Sequence, residues 1–481
     1  MERIAIIGAG PGGIVAARFL KGQGFALVLF EAHDRLGGQW AAENPRSGVW
    51  PLMRTNTARL VTRFSDLDYP DGTAIFPRNA EVRDYLQTYA ETFGLSDDAQ
   101  FGTRVTRLAQ VEGGYAVTTL RDGAERTEIF ARVVVASGPY NDPAIPDVPG
   151  LDGFSGDCGV IHAFDYDDPD RYRGKHVLVA GGNISSLEIA SDLAMLGAAS
   201  VTTAMRRQRY VMPKLIAGVP VESYGFTRAA ALFQETASSD DWAAATKAFV
   251  LQYGGNPAWY GAPEPDPDVR VAGTTGSQNF LNLVAEDRIT CKPWLSGVAG
   301  RTVTFADGSS RDVDAIIFGT GYRLNLPYLS DAIRATTGLT ARSITLANHS
   351  FHPDLPGLAF MGLWSQIGPY LPVLEQQARY IAYTWGGAIA APSDSSLRSD
   401  LEACRLRRGA DIFQHLQTLH FARLTGCDPV HGIDDDMAET LQNLPVTAVS
   451  CRLIGPDPMP DAAAQIHADA ARFGRRPIQG D

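Results

Sequence analysis

The sequence predicts an α/β fold built on two parallel sheets, and two observations lead to this prediction. A short β-branched strand, a glycine-rich turn and an amphipathic helix follow one another at the start of the chain. The same order of elements returns near residue 176, and in both places a second apolar strand follows the helix. Strands that alternate with helices in this way form parallel sheets, because the helix carries the chain back across the sheet.

The first glycine-rich turn has the spacing of a dinucleotide-binding fingerprint. Ile4-Ala5-Ile6-Ile7 has the composition of a buried strand, and the six residues after it fit G-x-G-x-x-G. Gly8 permits the tight turn, Gly10 lets a pyrophosphate approach the backbone, and Gly13 lets the helix pack closely on the strand. A Rossmann-like unit is therefore predicted here, and its binding turn comprises Gly8, Gly10, Pro11, Gly12 and Gly13.

The second strand of this unit, residues 26–30, ends on an acid. Glu31 lies 18 residues after Gly13, at the position where a carboxylate binds a ribose hydroxyl. An acid there favours a free ribose, as in FAD or NAD, over a ribose 2′-phosphate.

A second Rossmann-like unit is predicted from residue 176 onward. Its turn is degenerate, because Asn183 and Ser186 replace two glycines, although small hydroxyl side chains can still donate to phosphate. Its second strand is followed by Arg206 and Arg207, whose guanidinium groups suit a 2′-phosphate. We therefore predict NADPH binding by Gly181, Asn183, Ser185, Ser186, Arg206 and Arg207. A solvated basic edge that also includes Arg209, or a unit without a ligand, remains the alternative.

Two units with opposite ribose preferences predict electron transfer from NADPH to FAD. Two apolar strands that end in glycine turns, residues 131–138 and 314–321, mark where the chain passes between the units. The predicted division is a discontinuous FAD-binding domain, residues 1–152 and 319–450, an inserted NADPH-binding domain, residues 153–318, and a C-terminal tail, residues 451–481.

Composition excludes several other classes of protein. The chain has 481 residues, 45% hydrophobic and 20% charged, which is typical of a globular protein with about two to four domains. Its net charge of −12 leaves no basic surface for a phosphate backbone, so we expect no nucleic-acid partner.

Cysteine usage and hydrophobic patterning add further exclusions. The five cysteines are far apart and form no C-x-x-C pair, which argues against a disulfide framework, a metal site and a disulfide reductase. The N-terminus runs directly into an apolar strand, and no apolar run is long enough to span a membrane. We therefore expect no metal, no membrane segment and a cytoplasmic location.

Several segments together resemble the flavin-containing monooxygenases. The matching segments are Gly37-Gly38-Gln39-Trp40 (the family's G-G-x-W), the run from Arg54-Thr55-Asn56-Thr57 to Phe64-Ser65-Asp66 (T-N-T ending in F-S-D), Phe154-Ser155-Gly156 with His162 and Tyr166 (the linker fingerprint), Phe318-Gly319-Thr320-Gly321-Tyr322 (F-A-T-G-Y) and Glu375 to Arg379 (E-x-Q-A-R). The resemblance covers residues 1 to about 387, with gaps. Two departures are Gly319 in place of alanine and a longer spacing between Gly156 and His162.

The resemblance implies a monooxygenase that oxygenates nitrogen or sulfur atoms of a small amine or sulfide. In that family NADPH reduces FAD, O2 adds at the flavin C4a atom, and the C4a-hydroperoxyflavin waits for a nucleophile. The protein must exclude water and donate hydrogen bonds there. Asn56 is the catalytic candidate, because a carboxamide donates and accepts without titrating; a turn residue is the alternative. The remaining cofactor-binding candidates are Gln39, Trp40, Thr57, Gly319, Thr320, Gly321 and Gln366.

Other residues of these segments have predicted structural roles. Glu375 and Arg379, one helical turn apart, are predicted to form an i,i+4 ion pair. His162 and Tyr166 are predicted to form a hydrogen-bonded pair at the domain junction, with a catalytic role as the alternative. Residues 215–275 are predicted to form a cap over the site. The aromatic candidates for an apolar pocket are Trp259, Trp364 and Tyr370.

Two other functions remain open from the sequence. A Baeyer-Villiger monooxygenase acts on ketones with the same cofactors, but such enzymes usually end the linker fingerprint in Trp, where this chain has Tyr166. An NADPH oxidase flavoprotein would pass electrons to O2 without oxygenating a substrate. The helical pattern after Leu397 predicts packing or dimer surface, so a homodimer is one option for the assembly.

Overall fold

The structure is a computed structural model that describes residues 2–407, 410–430 and 432–475. It has the α/β architecture that the sequence predicts, with two parallel sheets of five strands each. The first sheet forms around Arg3–Ile7, which pairs with Ala26–Phe30 on one side and with Arg132–Val135 on the other. The order of strands across this sheet is Leu358–Phe360, Arg132–Val135, Arg3–Ile7, Ala26–Phe30 and Ala99–Gln100.

The second parallel sheet takes all its strands from residues 159–318. Its central strand, His176–Ala180, pairs with Ser200–Met205 and with Ala315–Phe318. All residues of His176–Ala180 except the first are buried, because helices or loops cover both faces of such a sheet. The order of strands is Ile289–Pro293, Ser200–Met205, His176–Ala180, Ala315–Phe318 and Gly159–His162.

The other strands form smaller sheets around these two. Two three-stranded antiparallel sheets consist of Arg104–Val111, Gly114–Arg121 and Ala124–Phe130, and of Leu295–Ala299, Thr302–Phe305 and Ser310–Asp312. The two-stranded sheets pair Tyr210–Met212 with Thr274–Gly276, Leu215–Ile216 with Val219–Pro220, and Gln366–Ile367 with Ile412–Phe413.

Two long helices pack against each other beside the first sheet. Pro11–Gly22 begins with proline, whose missing amide has no cost in the first turn. It contacts Leu371–Gly386, in which every residue from Leu371 to Tyr383 is buried. A helix buried on all sides must find partners for its polar side chains inside the protein. The remaining helices are Asn79–Thr92, Ile184–Leu196, Glu222–Gly225, Arg228–Thr236, Ser239–Tyr253, Val269–Ala272, Phe280–Ala285, Asp331–Thr336, Asp394–Leu406, Gln414–Leu424, Asp435–Asn443 and Ala462–Phe473.

The C-terminal segment packs against the body of the protein. Ile466 and Phe473 of helix Ala462–Phe473 are buried in one cluster with Leu60 and Val61. The segment predicted as a tail, residues 451–481, therefore contains a packed helix, and its residues 476–481 lie outside the described residues. None of the helices in the described part of the chain is both long and apolar enough to cross a lipid bilayer.

Candidate cofactor and active site

Close packing explains two glycines of the first turn. Gly8 has a φ of +101°, and a Cβ there would lie 2.7 Å from the carbonyl oxygen of Ala136. A Cβ at Gly13 would lie 1.9 Å from the carbonyl oxygen of Gly8, so only glycine lets the helix approach its strand this closely. Because Gly10 is the N-cap and no side chain caps the helix, its first amides are available to an anion.

Glu31 ties this turn to the end of the second strand. Its carboxylate is 6% exposed, and it accepts the backbone N–H of Ala9 at 2.8 Å and that of His33 at 2.9 Å. A carboxylate has about four acceptor sites, so ribose hydroxyls can still donate to it. The predicted ribose acceptor thus also supports the turn.

The segment with Gln39 and Trp40 lies against the first turn. Gly38 has a φ of +56°, and a Cβ there would come within 2.8 Å of the Cα of Gly10. The Gln39 amide donates to the carbonyl oxygens of Arg46 at 3.1 Å and Tyr140 at 2.9 Å. Gln39 therefore ties this segment to residues 46 and 140, while Trp40 packs half-buried against the core of the first unit.

The second turn has the same backbone plan but a different close contact. Gly181 has a φ of +143°, and a Cβ there would lie 2.3 Å from the Ser186 hydroxyl. Ser186 is fully buried and donates to the carbonyl oxygen of Gly319 at 3.1 Å. We therefore correct the expectation that Ser186 donates to a phosphate, because its hydroxyl is already used inside the fold.

The Gly319-Thr320-Gly321 segment accordingly lies at the second turn. The Gly319 amide donates to the carbonyl oxygen of Ala180 at 2.8 Å. The Thr320 hydroxyl donates to the carbonyl oxygen of Ala144 at 2.5 Å. Gly321 accepts the Ala144 amide at 3.0 Å and has a φ of +81°. Residues 319–321, which follow strand Ala315–Phe318, are thus hydrogen-bonded to residue 144, which lies in the stretch after strand Arg132–Val135.

The polar candidates around the second turn differ in how free they are. Asn183 caps helix Ile184–Leu196, since its side-chain oxygen accepts the Ile184 amide at 3.0 Å. Ser185 is exposed. Arg206 lies with its guanidinium 4.8 Å from the centre of the Trp294 ring. Arg207 is exposed and forms no ion pair with any described residue, so its charge is available to a phosphate.

Asn56 has a buried oxygen without a partner. Its side-chain carbonyl oxygen makes no hydrogen bond to any described residue, whereas its neighbours are satisfied. Thr55 donates to the carbonyl oxygen of Thr57 at 2.8 Å, and the hydroxyls of Thr57 and Thr62 are 2.9 Å apart. An unsatisfied buried acceptor costs about 1–3 kcal/mol, so the loop favours a bound group that donates to Asn56.

The predicted ion pair between Glu375 and Arg379 is wrong. Glu375 accepts both the amide and the hydroxyl of Ser65 at 2.6 Å, and burial raises the pKa of its carboxyl, with Asp66 adding to the rise. Arg379 donates instead to the Tyr383 hydroxyl at 3.0 Å and to the Cys451 carbonyl at 2.8 Å. Tertiary partners replace the local pair because both residues are fully buried.

His162 and Tyr166 do not form the predicted pair either. The His162 Nδ1 accepts the Phe164 amide at 3.0 Å, and burial lowers the pKa of the imidazole, so the ring is neutral. Tyr166 packs its ring 6.1 Å from that of Trp50, and its hydroxyl has no partner among the described residues. The two side chains therefore make separate contacts.

The remaining candidates differ in their exposure and in their hydrogen-bond partners. Gln366 accepts from the Trp364 indole at 2.8 Å and donates to the Pro369 carbonyl at 2.6 Å, so its amide shapes a local turn. Tyr370 hydrogen-bonds the Tyr140 hydroxyl. Trp259 is 73% exposed and cannot line an apolar pocket, which corrects that expectation.

Two buried charged residues of this region were not predicted from the sequence. Glu222 accepts the Ala58 amide at 3.1 Å, and Arg452 donates to Ser65 and Asp66, each at 2.8 Å. Glu222 is 164 residues from its partner, and Arg452 is 387 residues from Ser65. No local motif surrounds either residue, so only the fold reveals them.

The chain is similar to several known proteins. The flavin-binding monooxygenase-like family matches residues 1–457. Flavin-containing monooxygenase 3 of Rattus norvegicus is 29% identical over 424 residues, covering 83% of this chain and 77% of that protein. Dimethylaniline monooxygenase (N-oxide-forming) 2 of Cavia porcellus is 26% identical over 434 residues, covering 87% and 79%. S-allyl-L-cysteine S-oxygenase from Allium sativum has a TM-score of 0.67 at 23% identity, covering 98% of this chain and 99% of that one.

Proposed function

Because the chain belongs to the flavin-binding monooxygenase-like family, we propose that it oxygenates a nitrogen or sulfur atom of a small molecule with NADPH and O2. As a member of this family it is a flavin-dependent monooxygenase, and its cofactors are FAD and NADPH. One relative is named for N-oxide formation, and one solved structure with this fold for S-oxygenation. Tyr166, where Baeyer-Villiger enzymes usually carry Trp, supports the same choice.

The unpartnered oxygen of Asn56 carries the proposal at the level of the site. The side-chain oxygen of Asn56 is a free acceptor for a ligand, whereas the hydroxyls of Thr55 and Thr57 on either side of it are already hydrogen-bonded. We assign Asn56 to the place where the flavin reacts, as a group that hydrogen-bonds there without titrating. Its role is to keep oxygen transfer coupled to NADPH oxidation.

The first turn is assigned to FAD. Gly8, Gly10 and Gly13 give a backbone without side chains at the start of an uncapped helix, which fits a pyrophosphate. Glu31 is assigned to the ribose of the adenosine. The other residues assigned to FAD are Pro11, Gly12, Gln39, Trp40, Thr57 and Gln366.

The second turn is assigned to NADPH. Gly181 supplies the open backbone, Asn183 and Ser185 lie at the helix start, and Arg207 supplies a free charge for the 2′-phosphate. Arg206 is the second cation of that site, held against Trp294. Four further residues shape this turn through contacts with one another and with residue 144: Ser186, Gly319, Thr320 and Gly321.

When bound, FAD takes electrons from NADPH and supplies the chemistry that activates O2. The residues of the chain orient the two cofactors, exclude water and hold hydrogen bonds at the reacting centre. We propose that residues 1–152 and 319–450 form the FAD-binding domain and that residues 153–318 form the NADPH-binding domain. The cytoplasmic location and the homodimer stay predictions.

The experiment that tests this function is NADPH consumption in air with identified products. The panel contains trimethylamine, thioethers, indole and cyclic ketones. We expect an N-oxide or a sulfoxide to account for the NADPH consumed with at least one substrate. A lactone formed from a cyclic ketone, or hydrogen peroxide as the sole product throughout the panel, would contradict the proposal.

A further inference from the structure

Glu222 is a buried carboxyl that comes from a distant part of the chain and contacts residues 55–58, called the Asn56 loop below. It opens helix Glu222–Gly225, within the segment predicted as a cap, and its side chain is 1% exposed. One carboxyl oxygen accepts the Ala58 amide at 3.1 Å. The other is buried and has no partner in the described part of the chain.

The bond to Glu222 differs from the others that hold this loop. The Thr55 and Thr62 hydroxyls both donate to the Thr57 carbonyl, at 2.8 and 3.3 Å. The Arg59 amide donates to the carbonyl oxygen of Ile75. Those partners come from nearby positions of the first part of the chain. The Ala58 amide, two residues after Asn56, is held by a side chain that follows the second sheet's strand Ser200–Met205 in sequence.

A short hairpin connects Glu222 to the second turn's helix. The Val221 amide donates to the Lys214 carbonyl at 3.0 Å, which closes the hairpin Leu215–Ile216 with Val219–Pro220. The Lys214 ammonium is 3.2 Å from the Glu188 carboxylate in helix Ile184–Leu196. Glu222 is therefore placed by the same unit that we assign to NADPH.

We propose that Glu222 is a positioning residue for oxygenation, which holds the backbone at Ala58 and thereby places the Asn56 carboxamide. The inference depends on the proposed function of Asn56. A buried carboxyl is costly to keep unless it makes a specific contact, and this one makes its contact beside the candidate catalytic residue. Burial also raises the pKa of Glu222 to about 7, while the Ala58 amide and Lys214 oppose the rise.

The central test compares Glu222→Leu with Glu222→Gln. The Leu variant removes the acceptor, whereas the Gln variant keeps a carbonyl oxygen for Ala58 at nearly the same volume. In the Leu variant we expect oxygenated product per NADPH to fall roughly 10- to 100-fold, because misplacing a reacting group by ~1 Å has effects of this size. Hydrogen peroxide should replace the product, and reduction of FAD by NADPH should stay near the parent rate. The Gln variant should remain coupled.

Ser223→Ala is the matched control for lost stability. Ser223 is fully buried in the same helix and donates to the Phe473 carbonyl at 2.8 Å, so its loss weakens the packing beside residues 58–61 without removing the bond to the Ala58 amide. This variant should lower the melting temperature and leave coupling unchanged. A Ser223→Ala variant as uncoupled as Glu222→Leu would overturn the proposal, since a general loss of stability would then explain the effect.

Removing the donor instead of the acceptor keeps the proposal testable if Glu222→Leu loses its FAD. Ala58 has a φ of −63°, which proline adopts, so Ala58→Pro removes the amide hydrogen without requiring a new backbone angle. This variant should also release hydrogen peroxide in place of product. Full coupling in Ala58→Pro, or a Gln variant as uncoupled as the Leu variant, would reject a positioning role.

Asn56→Leu measured in parallel separates this inference from the proposed function. If Asn56→Leu uncouples and Glu222→Leu does not, only the role of Glu222 is rejected. If Asn56→Leu remains coupled, the assignment of Asn56 itself fails, whatever Glu222 does.

Discussion

Glu31 supports the local fold and is also the residue that we propose for the FAD ribose. Glu31 was found from its spacing to Gly13, and the structure shows that it also binds the Ala9 and His33 amides. Spacing predicts such residues because the turn, helix and strand between them have nearly constant lengths. It could not predict Glu222, whose partner Ala58 is brought close only by the packing of the whole chain.

The first prediction concerns Asn56. Asn56→Leu keeps the approximate volume but removes a donor and an acceptor, so FAD should stay bound and be reduced by NADPH. Oxygenated product should fall by roughly 10²-fold, the usual effect of losing one hydrogen bond at a reacting centre, and hydrogen peroxide should account for the NADPH consumed. Product and peroxide are quantified in the same reaction. Asn443→Leu, at an exposed position, is the control; a fully coupled Asn56→Leu would make Asn56 a loop residue.

The second prediction concerns Arg207, whose charge is exposed and unpaired among the described residues. Arg207→Ala should raise the KM for NADPH roughly 10- to 150-fold, because a hydrogen bond to a charged group contributes about 1.5–3 kcal/mol. The KM for NADH should change little. Steady-state kinetics with both cofactors measure this, and Arg311→Ala, at another exposed arginine, serves as control. An equal rise with both cofactors would show that Arg207 does not contact the 2′-phosphate.

Whole elements follow the sequence closely where the constraint is local. The predicted strands at residues 4–7 and 176–180 are confirmed as Arg3–Ile7 and His176–Ala180. Helix Leu371–Gly386 is the contrary case, because the complete burial of Glu375 and Arg379 gives them tertiary partners in place of each other. Helical spacing predicts which side chains are neighbours, but burial decides which bonds they make.

In each unit a glycine packs against a small side chain where the helix meets the end of a strand, but the position of the glycine differs between the two units. In the first unit Gly13 faces Ala136, and a Cβ at Gly13 would be 3.6 Å from the Ala136 Cβ. In the second unit Ser186 faces Gly319, and a Cβ at Gly319 would be 2.1 Å from the Ser186 hydroxyl and 3.2 Å from its Cβ. The larger residue thus lies on the helix in one unit and on the strand end in the other.

The third prediction follows from this exchange. Gly319→Ala alone should overpack the second unit and destabilise the protein by about 1–3 kcal/mol. Adding Ser186→Gly should recover most of that loss, because the pair then matches Gly13 and Ala136 of the first unit. Melting temperatures of the two single variants and the double variant form the cycle. Additive effects of the two changes would show that the contact does not set the packing.

At the scale of the whole molecule, Asp192 links the inserted segment to Trp50. The Trp50 indole donates to Asp192 at 2.9 Å. Burial raises the pKa of this carboxyl from 3.8 to about 6, against the opposing effect of the Trp50 bond. Between these values the folded protein holds the proton more tightly than the unfolded chain does, so the stabilising contribution of Asp192 is lost as the pH rises through about 6.

The fourth prediction is therefore a pH-dependent gain from Asp192→Asn. The amide keeps an acceptor for Trp50 and does not ionise, so the variant should gain about 1–2 kcal/mol over the parent between pH 4.5 and 7.5, after allowance for partial exposure. Urea unfolding at several pH values measures the difference. Asp71→Asn, at an exposed position, should give a constant difference. Parallel curves for Asp192→Asn and the parent would contradict the prediction.

The last prediction concerns the contact of the C-terminal segment with Ser65 and Asp66. The Arg452 side chain is 3% exposed and donates to Ser65 and Asp66, in the same segment as Asn56. It also opposes the raised pKa of the buried Glu375. Arg18, whose Nε is 3.4 Å from Asp66, is a second nearby cation, but it cannot replace the two hydrogen bonds that Arg452 makes. A local sequence motif could not reveal this arrangement, because Arg452 and Ser65 are 387 residues apart in sequence. The sequence predicts only a tail for residues 451–481.

Arg452→Met should consequently destabilise the protein by about 3–5 kcal/mol, because removing one partner of a buried ion pair leaves an uncompensated charge. Arg405→Met is the matched control: Arg405 is 58% exposed and paired with Glu402, so its loss should cost less than about 1 kcal/mol. Thermal unfolding gives the stability, and the FAD retained after gel filtration reports on the site. Since Ser65 and Asp66 adjoin the loop of Asn56, FAD retention should fall with stability in Arg452→Met and not in Arg405→Met. Equal losses of stability in the two variants would show that the C-terminal segment covers the site without supporting it.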